Sequence, residues 1–192
     1  IRIVEVGARD GLQNETAPVP TEAKIDFVDA LSDTGVDEIE VSAFVSPRWV
    51  PQLGDAEEVF RRISRRRNVA YSALVPNEKG LERALEARVD KVAVFTAASE
   101  TFNQHNIRAT TAQSLERIAE VMEVAREADK RVRGYVSCAL GCPYEGAVEP
   151  QDVSHVVGEL LALGVAEISV GDTIGVGTPA GVERLLDLLL DR

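Results

Sequence analysis

The stretch Ile1-Arg2-Ile3-Val4-Glu5-Val6-Gly7-Ala8-Arg9-Asp10-Gly11 decides the fold. A β-branched run stops abruptly at a polar, glycine-flanked Arg-Asp pair. Such a run reads as a buried strand. Similar runs recur at 38–44, 69–75, 91–96, 131–138 and 167–170, each followed by a helical stretch. Thr21 reads as the cap of a helix carrying Ile25, Val28 and Leu31, with Gly35 at its end. Leu115, Ile118, Ala119, Met122 and Ala125 recur at helical spacing, as do Val153, Val156, Val157, Leu160 and Leu161. Thr178-Pro179 reads as a cap and first-turn proline for the helix with Val182, Leu185, Leu186 and Leu189. Strand starts roughly 20 to 40 residues apart are the spacing of βα units on a parallel sheet.

Two architectures repeat that unit, the doubly wound sheet and the (β/α)8 TIM barrel. The first turn separates them. A doubly wound nucleotide binder carries GxGxxG there, whereas this chain has GARDG. Polar residues follow the other strands too: Ser46 and Trp49, Asn103 and Asn106, Cys138, then Asp172 and Thr173. Function gathered at the C-terminal ends of parallel strands is the mark of a barrel mouth. The fold class expected is therefore α/β, a TIM barrel with about six of its eight βα units. Residues 1–192 are read as one incomplete barrel domain, strands one to six and their helices. Its outer strands would be open edges.

The 192 residues carry 21 Lys and Arg against 32 Asp and Glu, a net charge of -11. This speaks against a nucleic-acid partner, whose phosphates call for cations. Arg61, Arg62, Arg65, Arg66 and Arg67 read as the solvated end of a surface helix. No apolar run approaches the ~20 residues of a membrane span, and no signal peptide is visible, so no membrane partner is expected. Cys138 and Cys142 alone make no disulfide framework and fit a reducing cytosol. Their C-x3-C spacing is a weak metal pattern, and two buried, reduced thiols are the expectation. Arg outnumbers Lys 17 to 4, the usage of a GC-rich bacterial gene, which favours a cytoplasmic location over a mitochondrial one.

Read by type, Asp10 can give a hard oxygen to a divalent cation. Arg9 beside it can hold a carboxylate or a developing oxyanion. From the dipeptide alone, a structural ion pair at a turn is the favoured reading. The longer strings narrow the choice. VGARDGLQNE resembles the first-strand signature of the hydroxymethylglutaryl-CoA lyases, a family of metal-dependent barrels. Three further segments resemble these lyases: Ile39-Glu40 with the segment Phe44-Val45-Ser46-Pro47-Arg48-Trp49-Val50-Pro51-Gln52, the stretch GYVSCALGCPYEG at 134–146, and EISVGDTIGVGTP at 167–179. They stand in the family's order and cover essentially the whole chain.

The resemblance implies cleavage of 3-hydroxy-3-methylglutaryl-CoA, an acyl-CoA substrate, to acetyl-CoA and acetoacetate with Mg2+ or Mn2+. A related barrel synthase or aldolase acting on 2-oxo acids is the competing reading, with a non-catalytic product behind it. By resemblance Asp10 is the metal ligand, while Arg9 and Glu40 are catalytic. Arg9, Gln13, Asn106, Tyr135, Ser169 and Thr173 contact the substrate. Asp172 orients a neighbour or caps the next helix. The family also implies a homodimer, a His-x-His pair, an Asn ligand and a catalytic Cys on a glycine-rich loop. The two histidines here, His105 and His155, form no such pair. Residues 1–192 alone are therefore expected to be inactive or nearly so. His105 is read as solvent-facing or near the coenzyme entrance, His155 as lying on a polar helix face, and Trp49 as a core or rim residue. Ala43 departs from the family's usual Ser.

Overall fold

The computed structural model describes residues 1–190. Six strands follow one another in the sheet in chain order. They are β1 (Val4–Glu5), β2 (Glu38–Ala43), β3 (Ala70–Leu74), β4 (Lys91–Ala97), β5 (Arg131–Ser137) and β6 (Glu167–Val170). The helices are α1 (Thr21–Ser32), α2 (Ala56–Arg62), α3 (Glu78–Glu86), α4 (Glu100–Ile107), α5 (Thr111–Glu127), α6 (Pro150–Ala162) and α7 (Pro179–Leu190). Each strand is followed by helix, as parallel pairing requires. The α/β class expected from the strand runs is what the chain adopts.

Contacts divide the chain into two compact units, Ile1–Ala93 with Glu127–Lys130, and Val94–Arg126 with the residues from Arg131 on. In the first, β1 pairs with β2, β2 with β3, and β3 with the start of β4, all parallel. All six residues of β2 are buried, because a strand covered on both faces has no solvent side. Ile39, Val41, Tyr71, Ala73, Val92 and Phe44 fill this core. Its polar members are paired: the Glu38 carboxylate, 0 % exposed, takes the Lys91 ammonium at 3.0 Å. The register of β2 against β3 slips by one residue between Glu40 and Ser42. Such bulges re-aim side chains, often beside active sites.

In the second unit β5 and β6 pair with Tyr135 opposite Ser169 and Arg133 opposite Glu167, whose guanidinium and carboxylate meet at 3.0 Å. Val132, Val136, Val153, Val156, Val157 and Leu160 are buried together with Ile118, Val121 and Met122 of α5. Three helix starts of this unit are capped by side chains of the expected kind. Ser99 accepts the N–H of Phe102, Thr110 that of Gln113, and Thr178 that of Gly181, with Pro179 opening α7.

The differences from expectation are local. β1 is two residues long rather than six: Val4 and Glu5 are in register with β2, and the Ile3 carbonyl before them accepts the Glu38 N–H at 3.2 Å. Pro20, not Thr21, stands at the N-cap of α1; the Thr21 hydroxyl instead donates to Asp55 Oδ2 at 2.7 Å. Of the arginine cluster, only Arg61 and Arg62 belong to α2. Arg65 donates to the carbonyls of Ala87 and Arg88, and Arg66 grips Asp33 with two nitrogens. Trp49 is 68 % exposed and so is no core residue. No helix of the described residues is long and apolar enough to cross a membrane.

Candidate active site

In the first unit the site is built on the turn after β1. Gly7–Gly11 winds as one π-helical turn, its wide ring closed by the Leu12 N–H on the Gly7 carbonyl five residues back, while the N–H groups of Arg9 and Asp10 donate to the Val6 carbonyl at 3.1 and 2.7 Å. Such turns are rare and frequent at functional sites. Gly7 lies against the flexible end of a neighbouring side chain. Its N–H donates to Glu5 Oε1 at 2.6 Å, and a β-carbon at position 7 would lie 2.8 Å from that oxygen.

The turn sends Arg9 between two carboxylates. Its Nε donates to Glu40 Oε1 at 2.5 Å and its Nη1 to Asp10 Oδ1 at 2.7 Å. The three differ in exposure: Glu40 is fully buried, Arg9 side chain 11 % exposed, Asp10 side chain 55 % exposed. Glu40, one residue before the slip in β2, therefore fixes the guanidinium from behind, while Asp10 meets solvent. Oδ2 of Asp10 takes no hydrogen bond among the described residues. An exposed carboxylate oxygen of this kind suits a hard divalent cation. Asp10 offers that one ligand; no cluster of three His, Cys, Asp or Glu suited to a metal occurs among the described residues. Gln13 is half-buried and hydrogen-bonds none of the three. Asn14, which the sequence reading passed over, donates from Nδ2 to the carbonyl of Asp10 at 2.8 Å.

In the second unit the ends of β5 and β6 are tied together. Cys138 has φ +59°, a left-handed backbone that costs a non-glycine residue about 1–3 kcal/mol. Its N–H donates to Thr173 Oγ1 at 2.7 Å. Thr173 thus acts on a strand end and caps no helix. Asp172 caps no helix either. Its two oxygens accept the N–H groups of Val176 and Gly177 at 3.1 and 2.8 Å, closing the 172–177 turn, and Thr178 caps α7. Tyr135 and Ser169 are half-buried register partners. Asn106 is exposed on α4. Its neighbour Asn103 is buried and donates to Thr111 Oγ1 and the Ala97 carbonyl, a structural role. His105 is exposed and stacks on Tyr144 with ring centres 4.2 Å apart, and His155 is exposed on α6.

Both cysteines are free and buried. Burial and the adjacent Cys142 push the Cys138 thiol up to about 12. Burial also works on Cys142, but donors outweigh it and hold it below the ordinary thiol range. These are the Ser99 hydroxyl at 3.0 Å and the N–H groups of Tyr144 and Glu145, both at 3.4 Å. At pH 8 a thiol titrating near 12 is about 10⁻⁴ thiolate, so alkylation of the native protein should modify Cys142 well before Cys138. Mass mapping after a timed iodoacetamide exposure checks this. Equal rates in the native state, as expected only in denaturant, would contradict it.

A family model described as HMGL-like matches residues 1–192, the whole chain. The chain belongs to the HMGL-like family. This HMGL-like chain is 54 % identical over 187 residues to the 3-hydroxy-3-isohexenylglutaryl-CoA/hydroxymethylglutaryl-CoA lyase of Pseudomonas aeruginosa, covering 97 % of itself and 62 % of that protein. It is 50 % identical over 190 residues to the cytoplasmic 3-hydroxy-3-methylglutaryl-CoA lyase of Mus musculus, covering 99 % of itself and 55 % of that protein. The crystal structure of hydroxymethylglutaryl-CoA lyase from Pseudomonas aeruginosa superposes on it with TM-score 0.96 and 53 % identity, over 100 % of this chain and 64 % of that one. The HMGL-like chain thus spans little more than half to three fifths of the curated relatives' length.

Proposed function

We propose that the whole protein is a divalent-metal-dependent carbon–carbon lyase that cleaves 3-hydroxy-3-methylglutaryl-CoA to acetyl-CoA and acetoacetate. The observation that carries this reading is the Arg9 guanidinium fixed between the buried Glu40 and the exposed Asp10. The identity of about half to lyases acting on such acyl-CoA esters supports it.

The reaction sets clear demands. A tertiary hydroxyl loses its proton and becomes a ketone, the adjacent C–C bond breaks, and its electron pair becomes a thioester enolate. Protonation of the enolate carbon then gives acetyl-CoA. Arg9 would meet the enolate oxygen with its guanidinium, an anion complement already aimed before the charge develops. Glu40 would act through Arg9, keeping the guanidinium plane fixed at no cost during the step. Asp10 would hold Mg2+ or Mn2+, either of which suits a carboxylate oxygen. When bound, the metal supplies Lewis-acid stabilisation of the oxygen that becomes the ketone. Gln13, Asn106, Tyr135, Ser169 and Thr173 are proposed as substrate contacts, and the active form as a homodimer.

The test is an assay of the whole protein against 3-hydroxy-3-methylglutaryl-CoA and a panel of 2-oxo acids with acetyl-CoA, with and without EDTA. We expect acetoacetate from the first substrate only, lost on chelation and restored by Mg2+ or Mn2+. Turnover confined to the 2-oxo acids, or unaffected by EDTA, would overturn the reading.

A further inference from the structure

The segment 44–52 stands out in the sequence yet gives no group to the reaction. Its place in the fold shows a different use. Gln52 Nε2 donates to the carbonyl of Glu15 at 2.9 Å, joining segments 37 residues apart. Gln52 is itself held: its carbonyl accepts the Nζ of Lys24 on α1, and that ammonium also reaches Asp55 Oδ1 at 2.6 Å. The other oxygen of Asp55 takes the Thr21 hydroxyl at 2.7 Å. Lys24 is only 7 % exposed, and a buried ammonium is tolerated only where such partners satisfy it. Beyond Glu15 the chain turns back through Glu15 N–H to Leu12 and Asn14 N–H to Gly11, at 3.2 and 3.1 Å. The Asn14 side chain then reaches the Asp10 carbonyl at 2.8 Å. Hydrogen bonds thus run from α1 through Gln52 to the backbone of Asp10. Between Asn14 and Pro18 every residue is exposed, so no burial does this work.

We infer that Gln52, locked by Lys24 and Asp55, is a positioning residue that holds segment 10–15 and so sets the direction of the Asp10 carboxylate. This rests on the metal role proposed for Asp10. Partners behind a metal ligand typically change affinity by about 10–100-fold when removed. A misplacement near 1 Å costs a reaction on the order of 100-fold.

Gln52→Glu in the whole protein is the decisive variant, because it keeps size and turns the donor into an acceptor facing the Glu15 carbonyl. Three quantities are read: binding of Mn2+ alone by electron paramagnetic resonance, hydrogen exchange of amides 11–15, and kcat against KM. We expect Mn2+ binding about 10-fold weaker, exchange in 11–15 at least about 10-fold faster, and a fall in kcat with KM within about twofold. Gln52→Lys, which restores a donor, should recover part of each. Gln52→Glu with Mn2+ affinity and exchange both within twofold of the parent would overturn the inference. Failure of the metal reading has a separate signature: Asp10→Ala would leave Mn2+ binding unchanged. The exchange readout decides whether Gln52 holds the segment in that case too.

Discussion

Arg9→Met in the whole protein is expected to lower kcat by about 100- to 1,000-fold, the usual loss when one oxyanion donor is removed. It is also expected to lower stability by about 3 kcal/mol. The second effect follows from burial. Glu40 is 0 % exposed, and methionine takes away the nitrogen that meets its Oε1 at 2.5 Å. Removing one member of a buried ion pair costs about 3–5 kcal/mol, far more than the pair contributes in net terms. The double change Arg9→Met with Glu40→Gln should therefore recover most of the stability and none of the activity. Arg9→Lys keeps the charge but not the fork that engages Glu40 and Asp10 through two different nitrogens, so it should be nearly as inactive. Urea unfolding beside steady-state kinetics checks all three. An Arg9→Met protein that loses stability but keeps kcat within threefold would reduce Arg9 to a structural pair.

Asp10→Asn should behave in the opposite way. Its side chain is 55 % exposed and its ion pair with Arg9 faces water, where such pairs contribute roughly 0–1 kcal/mol. The amide oxygen can still accept from Arg9 Nη1. Stability should thus change by under about 1 kcal/mol, while Mn2+ affinity and kcat each fall by about 100-fold or more, since a neutral amide replaces an anionic ligand. Mn2+ titration and thermal unfolding separate the two quantities. Unchanged Mn2+ affinity would remove Asp10 from the metal site. The pair of variants distinguishes the halves of the site, one anchored in the core and one free to meet a ligand.

Much of this was legible in the sequence because it is local. The strand runs, the Thr178-Pro179 cap and the Arg9-Asp10 turn are written within a few neighbouring residues. Glu40 read equally as catalytic by resemblance or as the partner of some nearby arginine, and only folding shows that arginine to be Arg9. What stayed hidden depends on contacts between distant segments. Nothing near Thr21 tells that its hydroxyl is taken by Asp55, leaving Pro20 at the cap. The donors around Cys142 come from Ser99 and from its own following turn, and only folding brings Ser99 there. Of the two roles read for Asp172, orienting a neighbour or capping the next helix, the cap is the one set aside, because the turn at 172–177 claims both of its oxygens first. Trp49 was read as a core or rim residue, and its exposure removes the core alternative.

The slip in β2 has a consequence for how such a protein can change over time. Side chains alternate along a strand, so a one-residue offset between Glu40 and Ser42 makes the two ends of β2 independent in phase. The base keeps Glu38 on Lys91 whatever happens further along. The outer end still carries the core residues Ala43 and Phe44, so it is the loop from Val45 to Val50 that can change without turning a core residue toward water. A natural seam of this sort lets descent rewrite specificity at the rim while the foundation is inherited unchanged.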